Sequence, residues 1–294
     1  MTAIMPYLEA AVQAGSSDIF ILAGQPLSFK INGAIVKQGE ALLMPPRTEA
    51  LLRESYSLAG RERQVSLSQG DDDFSFSIAG LSRFRVSAYR QRGSWAAVIR
   101  VVAFEIPSPE AMAIPPQVMR LAEKNVGLVL VTGPAGGGKS TTQACISHAI
   151  NQRRNGHIVT LEDPIEFLHR NVKSIVSQRE IGQDTESSLT GLRACLRQAP
   201  DVILLGEMRD YETIKTAMTA AETGHLVIST LHTVGTVNTI DRIIDVFPPN
   251  QQQQVRVQLA MTLASVVSQQ LLPQNGGGQI PAFEIMHVTP GIRN

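Results

Sequence analysis

The sequence predicts an α/β domain with a mostly parallel sheet, preceded by a smaller α+β domain. Three observations carry that expectation. Up to about Ala103 apolar residues alternate in short runs, as half-buried strands do. Beyond Val118 apolar runs alternate with helical stretches, the pattern of strands joined by crossover helices. Between the two, four prolines fall from Pro107 to Pro116, where neither a long helix nor a strand can form. The expected boundaries are therefore 1–103 for the first domain, 104–117 for a linker and 118–294 for the second domain.

In the first domain, Asp18–Leu22 reads as a strand. Leu27–Ile31 alternates, Asn32-Gly33 supplies a hairpin turn, and Ala34–Val36 returns. A helix begins near Pro46 and ends by Gly60. The segments Phe74–Ile78, Arg83–Val86 and Ala96–Ile99 continue the sheet. In the second domain, Val126–Thr132 is a buried strand. After it, Cys145 and Ala149, like Ile146 and Ile150, sit four apart on one helical face. Ile158–Leu161, Val202–Leu205 and Leu226–Leu231 are further strands.

Composition narrows the function classes. A length of 294 residues is enough for two domains with separate cores. The 26 basic and 26 acidic residues cancel, which argues against an extended nucleic-acid surface. Cys145 and Cys195 are too few for a zinc ribbon or a disulfide framework, and a reducing cytosol is the simple inference. No apolar run approaches the roughly 20 residues that span a bilayer. Met1–Pro6 shows no basic region followed by an apolar one, so secretion is not expected. A membrane role would come through partners.

Chemistry enters between the first of these later strands and its helix. Gly133, Pro134, Ala135, Gly136, Gly137, Gly138, Lys139 and Ser140 fit G-x-x-x-x-G-K-[S/T] at every fixed position, and Thr141 follows. Strand, glycine loop and helix aim backbone N–H groups and a helix dipole at a phosphate. Lys139 is then expected to reach the β and γ phosphates, and Ser140 to bind Mg²⁺. The chain is expected to bind a nucleoside triphosphate.

Three more strands end on chemical groups: Glu162-Asp163 after Leu161, Gly206-Glu207 after Leu205, and His232 after Leu231. Open α/β sheets bind ligands at the carboxyl ends of their strands, so these groups should converge. Transfer of a γ-phosphoryl to water needs a metal, charge neutralisation and an oriented water. Glu207 is the expected catalytic carboxylate; the bland alternative is a helix-N-terminal glutamate beside Arg209. Gly206 stands where an aspartate usually precedes such a glutamate, which leaves metal contact to Ser140, waters and Glu162 or Asp163. Asp163, before Pro164, can also serve only to shape a turn. His232 is either a γ-phosphate sensor or a hydrogen-bonded structural histidine. His225 lies at the opposite end of the same strand. His148, His157, His169 and His287 lack metal-ligand spacing and read as surface or packing residues.

Basic residues cluster between Arg83 and Arg92, with Arg83 and Arg85 on one face of a strand. They are either a solvated sheet face or arginines that reach the phosphates of bound nucleotide. Arg193, Arg197 and Arg209 are further candidates to act across a subunit interface.

The four segments GPAGGGKSTT, TLEDPIEF, ILLGEMRD and TGHLVISTLHT resemble, in order, the phosphate loop, aspartate box, Walker B box and histidine box of the PilT-type secretion ATPases. That superfamily comprises the motors of type IV pili and type II secretion. SRFRVSAYRQRG resembles the arginine-bearing strand of its PAS-like N-terminal domain. Ala135 and Gly137 depart from the more usual loop residues.

The resemblance implies a homohexameric ring of RecA-like P-loop ATPase domains that hydrolyse ATP with Mg²⁺. It implies roles for Glu162 as aspartate-box acid, Glu207 as catalytic glutamate, and His225 and His232 as the histidine-box pair. Arg83 and Arg85 are implied to approach nucleotide as the two domains rotate. ATP rather than GTP follows from the resemblance alone. The implied work is to turn an inner-membrane pilus platform protein, alongside other pilus motor ATPases. That places the chain in the cytoplasm at the inner face of the membrane, with neither membrane insertion nor stable nucleic-acid binding. The absence of a larger N-terminal region and of a four-cysteine module points to pilus retraction. Pilus assembly, type II secretion, a RecA-like nucleic-acid translocase and a non-hydrolysing modulator are the alternatives. The ending Ala282–Asn294 resembles the segment where the family's retraction members carry an Ala-Ile-Arg-Asn signature, with Gly291 in place of Ala, and the family's chain continues beyond this point.

Overall fold

The computed structural model describes residues 3–61, 70–102, 106–275 and 278–293. Contacts divide the chain into two units, Met1–Phe104 and Glu105–Asn294. The expected break at 103–104 and the terminal Asn294 lie outside the described residues.

The first unit opens with a helix that strand alternation does not announce, α1 (Met5–Gln13), which starts at a proline and buries Leu8 and Ala11. There follow β1 (Asp18–Ile21), β2 (Pro26–Ile31) and β3 (Ala34–Leu42). Asn32 at φ 50° and Gly33 at φ 83° adopt the left-handed conformation that lets β2 return directly as β3. The helix α2 (Pro45–Leu58) precedes β4 (Asp71–Ile78), β5 (Ser82–Gln91) and β6 (Ser94–Val102). These strands make one antiparallel sheet in the order β3-β2-β1-β6-β5-β4. Leu51, Leu52 and Tyr56 of α2 are buried, and the Tyr56 ring stacks 4.4 Å from that of Phe74.

In the second unit a short helix α3 (Pro116–Met119) and a single 3-10 turn lead to β7 (Gly127–Thr132) and α4 (Lys139–Arg153). Then come β8 (His157–Glu162), β9 (Ile175–Glu180), α5 (Ser188–Cys195), β10 (Val202–Leu205), α6 (Tyr211–Glu222) and β11 (Leu226–Leu231). The unit ends with α7 (Thr236–Asp245), α8 (Gln252–Thr262), β12 (Leu263–Pro273), β13 (Gln279–His287) and α9 (Pro290–Arg293). The proline stretch read as a linker packs onto this unit: Ile114 is buried, and the Cys145 thiol donates to the Pro107 carbonyl at 3.3 Å.

The sheet runs β13-β12-β7-β11-β10-β8-β9, with β13 antiparallel to β12 and every other pair parallel. This is the mostly parallel α/β sheet that the sequence predicts. Its centre is buried on both faces, which explains why its strands are continuous apolar runs rather than alternating ones. Leu128 and Leu130 of β7 join a core with Leu192 of α5 and Ile214 of α6. Val129 and Val131 point the other way, to Ile146 and Ile150 of α4 and Val118 of α3.

Ile228 sits wholly buried in β11, paired in register with Leu204 and Val129. Ile228→Ala is expected to destabilise the second unit by about 2–5 kcal/mol, read as a lower urea midpoint.

Candidate functional site

The carboxyl ends of β7, β11, β10 and β8 are neighbours in the sheet, and the residues that follow them line one cavity of about 630 Å³. Ala135, Gly136, Lys139 and Ser140 of the phosphate loop form one wall. Glu162, Asp163, Gly206, Glu207 and His232 form another. The convergence expected from the strand ends is thus present within the second unit.

The loop's shape requires its glycines. Gly133, Gly136 and Gly138 have φ of 143°, 72° and 81°, where other residues are strained. Gly138 delivers the chain into α4, so the free N–H groups of that helix start at the cavity. Lys139 is 8% exposed, and its ammonium donates to the carbonyls of Gly133 at 2.9 Å and Pro134 at 2.8 Å. Burial lowers its pKa, while Glu207 and Glu166 act in the opposite sense.

Glu207 is held on both oxygens. Arg209 Nε donates to Oε2 at 2.8 Å, and His232 Nε2 lies 3.0 Å from Oε1. Its position is not that of a helix cap. Asp210 caps α6, accepting from the Thr213 N–H at 2.9 Å. Gly206 is pinned between strands: its N–H donates to the Leu161 carbonyl at 2.8 Å, and its own carbonyl accepts from Thr230 Oγ1 at 2.6 Å. A Cβ there would lie 3.2 Å from the Leu161 carbonyl oxygen, so a side chain at this place would be tight.

Glu162 ends β8 with its carboxyl drawn inward. Thr160 Oγ1 and Gln178 Nε2 donate to Oε1 at 2.6 and 3.1 Å. Burial raises its pKa, opposed by those two bonds and by one from the Glu166 backbone. Gln178 did not stand out in the sequence, and Thr160 did so only as the first residue of the TLEDPIEF segment, with no role of its own. Only the parallel register, which sets Thr160 opposite Gln178 across β8 and β9, brings them together. Gln178 also donates to the Phe167 carbonyl at 2.9 Å and accepts from the His169 N–H at 2.7 Å, which holds the segment after β8 in place.

The remaining sequence-predicted residues lie elsewhere. His225 stands at the amino end of β11, its Nδ1 2.9 Å from the Ala220 carbonyl, and is not among the residues lining this cavity. Arg83 and Arg85 belong to β5 of the first unit, where Arg83 donates to Ser77 Oγ at 3.2 Å. Arg193 pairs with Glu212 at 2.9 Å, and Arg197 donates to the Arg193 carbonyl at 3.1 Å. Among the described residues no three His, Cys, Asp or Glu side chains form a metal cage, and no helix is long and apolar enough to cross a membrane. Ser140 and the nearby carboxylates instead suit Mg²⁺, which takes one or two protein oxygens and completes its shell with phosphates and water.

Residues 1–277 match the family described as "Type II/IV secretion system protein". The chain is 41% identical over 292 residues to the type IV pilus retractation ATPase PilT of Pseudomonas aeruginosa, covering 99% of this chain and 84% of that protein. It is 46% identical over 234 residues to a twitching motility protein of Neisseria gonorrhoeae, covering 79% of this chain and 63% of that one. A crystal structure of the pilus retraction motor PilT with bound ADP is similar at a TM-score of 0.89 and 46% identity, covering 99% of this chain and 84% of that one.

His169 also lines the cavity, and burial, reinforced by His148, pulls its pKa from 6.5 to about 4. The folded chain therefore keeps this ring neutral where the unfolded chain takes up a proton. Stability should fall as pH drops from 6.5 towards 4, and show no contribution from His169 above that window. The His169 ring resonance should stay constant by NMR from pH 8 to 5, and His169→Gln should flatten the acid slope of the urea midpoint.

Proposed function

The chain belongs to the type II/IV secretion system protein family, and from that premise we propose that it is a homohexameric ATP-hydrolysing motor that powers type IV pilus retraction. One observation carries the proposal. Phosphate loop, Glu162, Glu207 and His232 meet at one sheet edge in a chain that aligns over 99% of its length with a pilus retractation ATPase.

The proposed chemistry follows from the site's own groups. With ATP bound, Lys139 exchanges the carbonyls of Gly133 and Pro134 for oxygens of the β and γ phosphates, as its flexible stem permits. Gly133 to Thr141 wrap the phosphates, with the free backbone N–H groups at the start of α4, those of Lys139, Ser140 and Thr141, directed at them. Glu207 orients the attacking water and takes its proton. Its two oxygens are already fixed by Arg209 and His232, and each keeps a second lone pair for the water. His232 thereby links the end of β11 to the reacting group. Glu162 and Asp163 would hold the metal through water when it is bound.

Charge explains why cations from elsewhere are needed. Glu162, Asp163, Glu166, Glu186, Glu207 and Asp210 line the cavity, and a triphosphate adds to that negative charge. Ser140 would hold Mg²⁺, which would supply neutralisation of part of that charge. Arg83 and Arg85 supply more as the two domains rotate, and His225 acts towards a neighbouring subunit rather than its own nucleotide. Interdomain rotation, stepping around the ring, turns a platform protein in the inner membrane, with other pilus motor ATPases as further partners. The chain works in the cytoplasm at the membrane's inner face, without inserting into it and without stably binding nucleic acid.

Three measurements test the proposal. Glu207→Gln should retain ATP binding and lose at least about 100-fold in turnover, as removal of a general base does; undiminished hydrolysis would count against the assignment. EDTA should likewise stop turnover, and added Mg²⁺ should restore it. Cells lacking the protein should carry more surface pili by electron microscopy. Bare cells would assign the same chemistry to pilus assembly.

A further inference from the structure

We propose that Gln269 is a positioning residue for the phosphate loop: it stands behind the loop, sets its curvature and so raises nucleotide affinity without touching nucleotide. The inference rests on the nucleotide-binding reading of the cavity and names a residue outside all four sequence boxes.

Strands β7 and β12 run parallel, and their last pair is Thr132 with Ser268. The next residue on each is Gly133 and Gln269, so Gln269 stands where strand gives way to loop. Backbones meet there closely enough to admit only a hydrogen. A Cβ on Gly133 would lie 2.0 Å from the Gln269 carbonyl oxygen. One on Gly138 would lie 2.7 Å from Gln269 Nε2, and one on Gly137 would lie 3.3 Å from that same carbonyl oxygen. Three loop glycines thus close on a single residue.

The side chain then reaches past the loop to the helix. Gln269 Oε1 accepts from Thr142 Oγ1 at 2.7 Å, with Gln269 3% and Thr142 0% exposed. Thr142 N–H in turn donates to the Gly138 carbonyl at 3.1 Å, the bond that begins α4. Gln269 is therefore tied to both ends of the turn that presents N–H groups to phosphate, yet it is not among the residues lining the cavity. Its own strand is anchored. Ser268 Oγ accepts from the Gly235 N–H at 2.8 Å, and Glu284, paired across from Ser268 on β13, accepts from Thr236 N–H and Oγ1 at 2.9 and 2.5 Å.

A loop with glycines at three positive φ positions has many curvatures open to it, and ordering it on binding weakens affinity. A buried hydrogen bond from a fixed strand to the first helical turn removes much of that freedom beforehand. Thr142→Val keeps the side chain's shape but leaves Gln269 Oε1 buried without its donor; Gln269→Leu does the converse.

The test uses the full chain, with binding of a fluorescent N-methylanthraniloyl ADP and steady-state ATP turnover. Thr142→Val and Gln269→Leu should each weaken ADP binding about tenfold and raise KM for ATP by a similar factor, with kcat within about threefold. Thr142→Ser should restore binding to within about threefold of wild type. The double variant should be no weaker than either single one, because the two share one bond. Wild-type ADP affinity in Thr142→Val, a Thr142→Ser no better than Thr142→Val, or losses that multiply in the double variant would each overturn the inference. The threonine pair decides the matter if Gln269→Leu does not fold. A wild-type chain that binds no ADP overturns the nucleotide reading itself, whereas normal wild-type binding with unaffected variants removes only the role of Gln269.

Discussion

Parallel pairing of β7, β11, β10 and β8 is the constraint on which the site depends. Leu161, Leu205, Ser229 and Leu130 lie at one level across these strands, and the chain leaves the sheet within a few residues of that level on every strand. Glu162 falls opposite Gly206, and Glu207 and His232 follow on adjacent strands with a small stagger. That stagger brings a carboxylate oxygen within 3.0 Å of an imidazole nitrogen. An antiparallel neighbour in the middle of the sheet would carry one of these groups to the opposite edge. Direction of the strands, more than any single side chain, assembles the site.

The strands themselves carry no chemistry because they cannot. Both faces of the central sheet are covered by helices, so a charged group along a strand would be buried without water or partner. Two of the polar residues within the strands serve local bonds: Thr160 supports Glu162, and Thr230 binds the Gly206 carbonyl. The groups proposed to meet nucleotide stand where burial ends. Even there they are held rather than free, with Glu207 between Arg209 and His232, and Lys139 on its own loop. In the proposed hydrolysis such restraint would limit reorganisation as charge develops on the phosphate.

Much of this was legible in the residues. Continuous apolar runs marked β7, β8, β10 and β11, because doubly covered strands lack the alternation of half-exposed ones. Asn32-Gly33 marked the β2–β3 turn, because few other residues tolerate two successive left-handed conformations. The helix α1 and the pair β12 and β13 were not legible in this way. Pro6 marks the start of α1, but its apolar face is short, and β12 takes its place in the sheet only by pairing with β7 far away in sequence.

For the candidate site the division is similar. The phosphate loop, Glu162, Glu207 and His232 could be named from sequence, because a loop that turns at glycines and a polar group closing an apolar run leave local signatures. Gln178 and Gln269 leave none, since their partners Glu162 and Thr142 lie on other elements far away in the chain, and Thr160, although it opens the TLEDPIEF segment, shows no role until its hydroxyl is seen on Glu162. By itself the sequence determined which strands exist and which chemical groups end them, through local patterning and backbone sterics. The tertiary structure alone decided strand order and register, and so which buried amides and hydroxyls hold those groups, because contacts between strands far apart in the chain are set by packing rather than by local spacing.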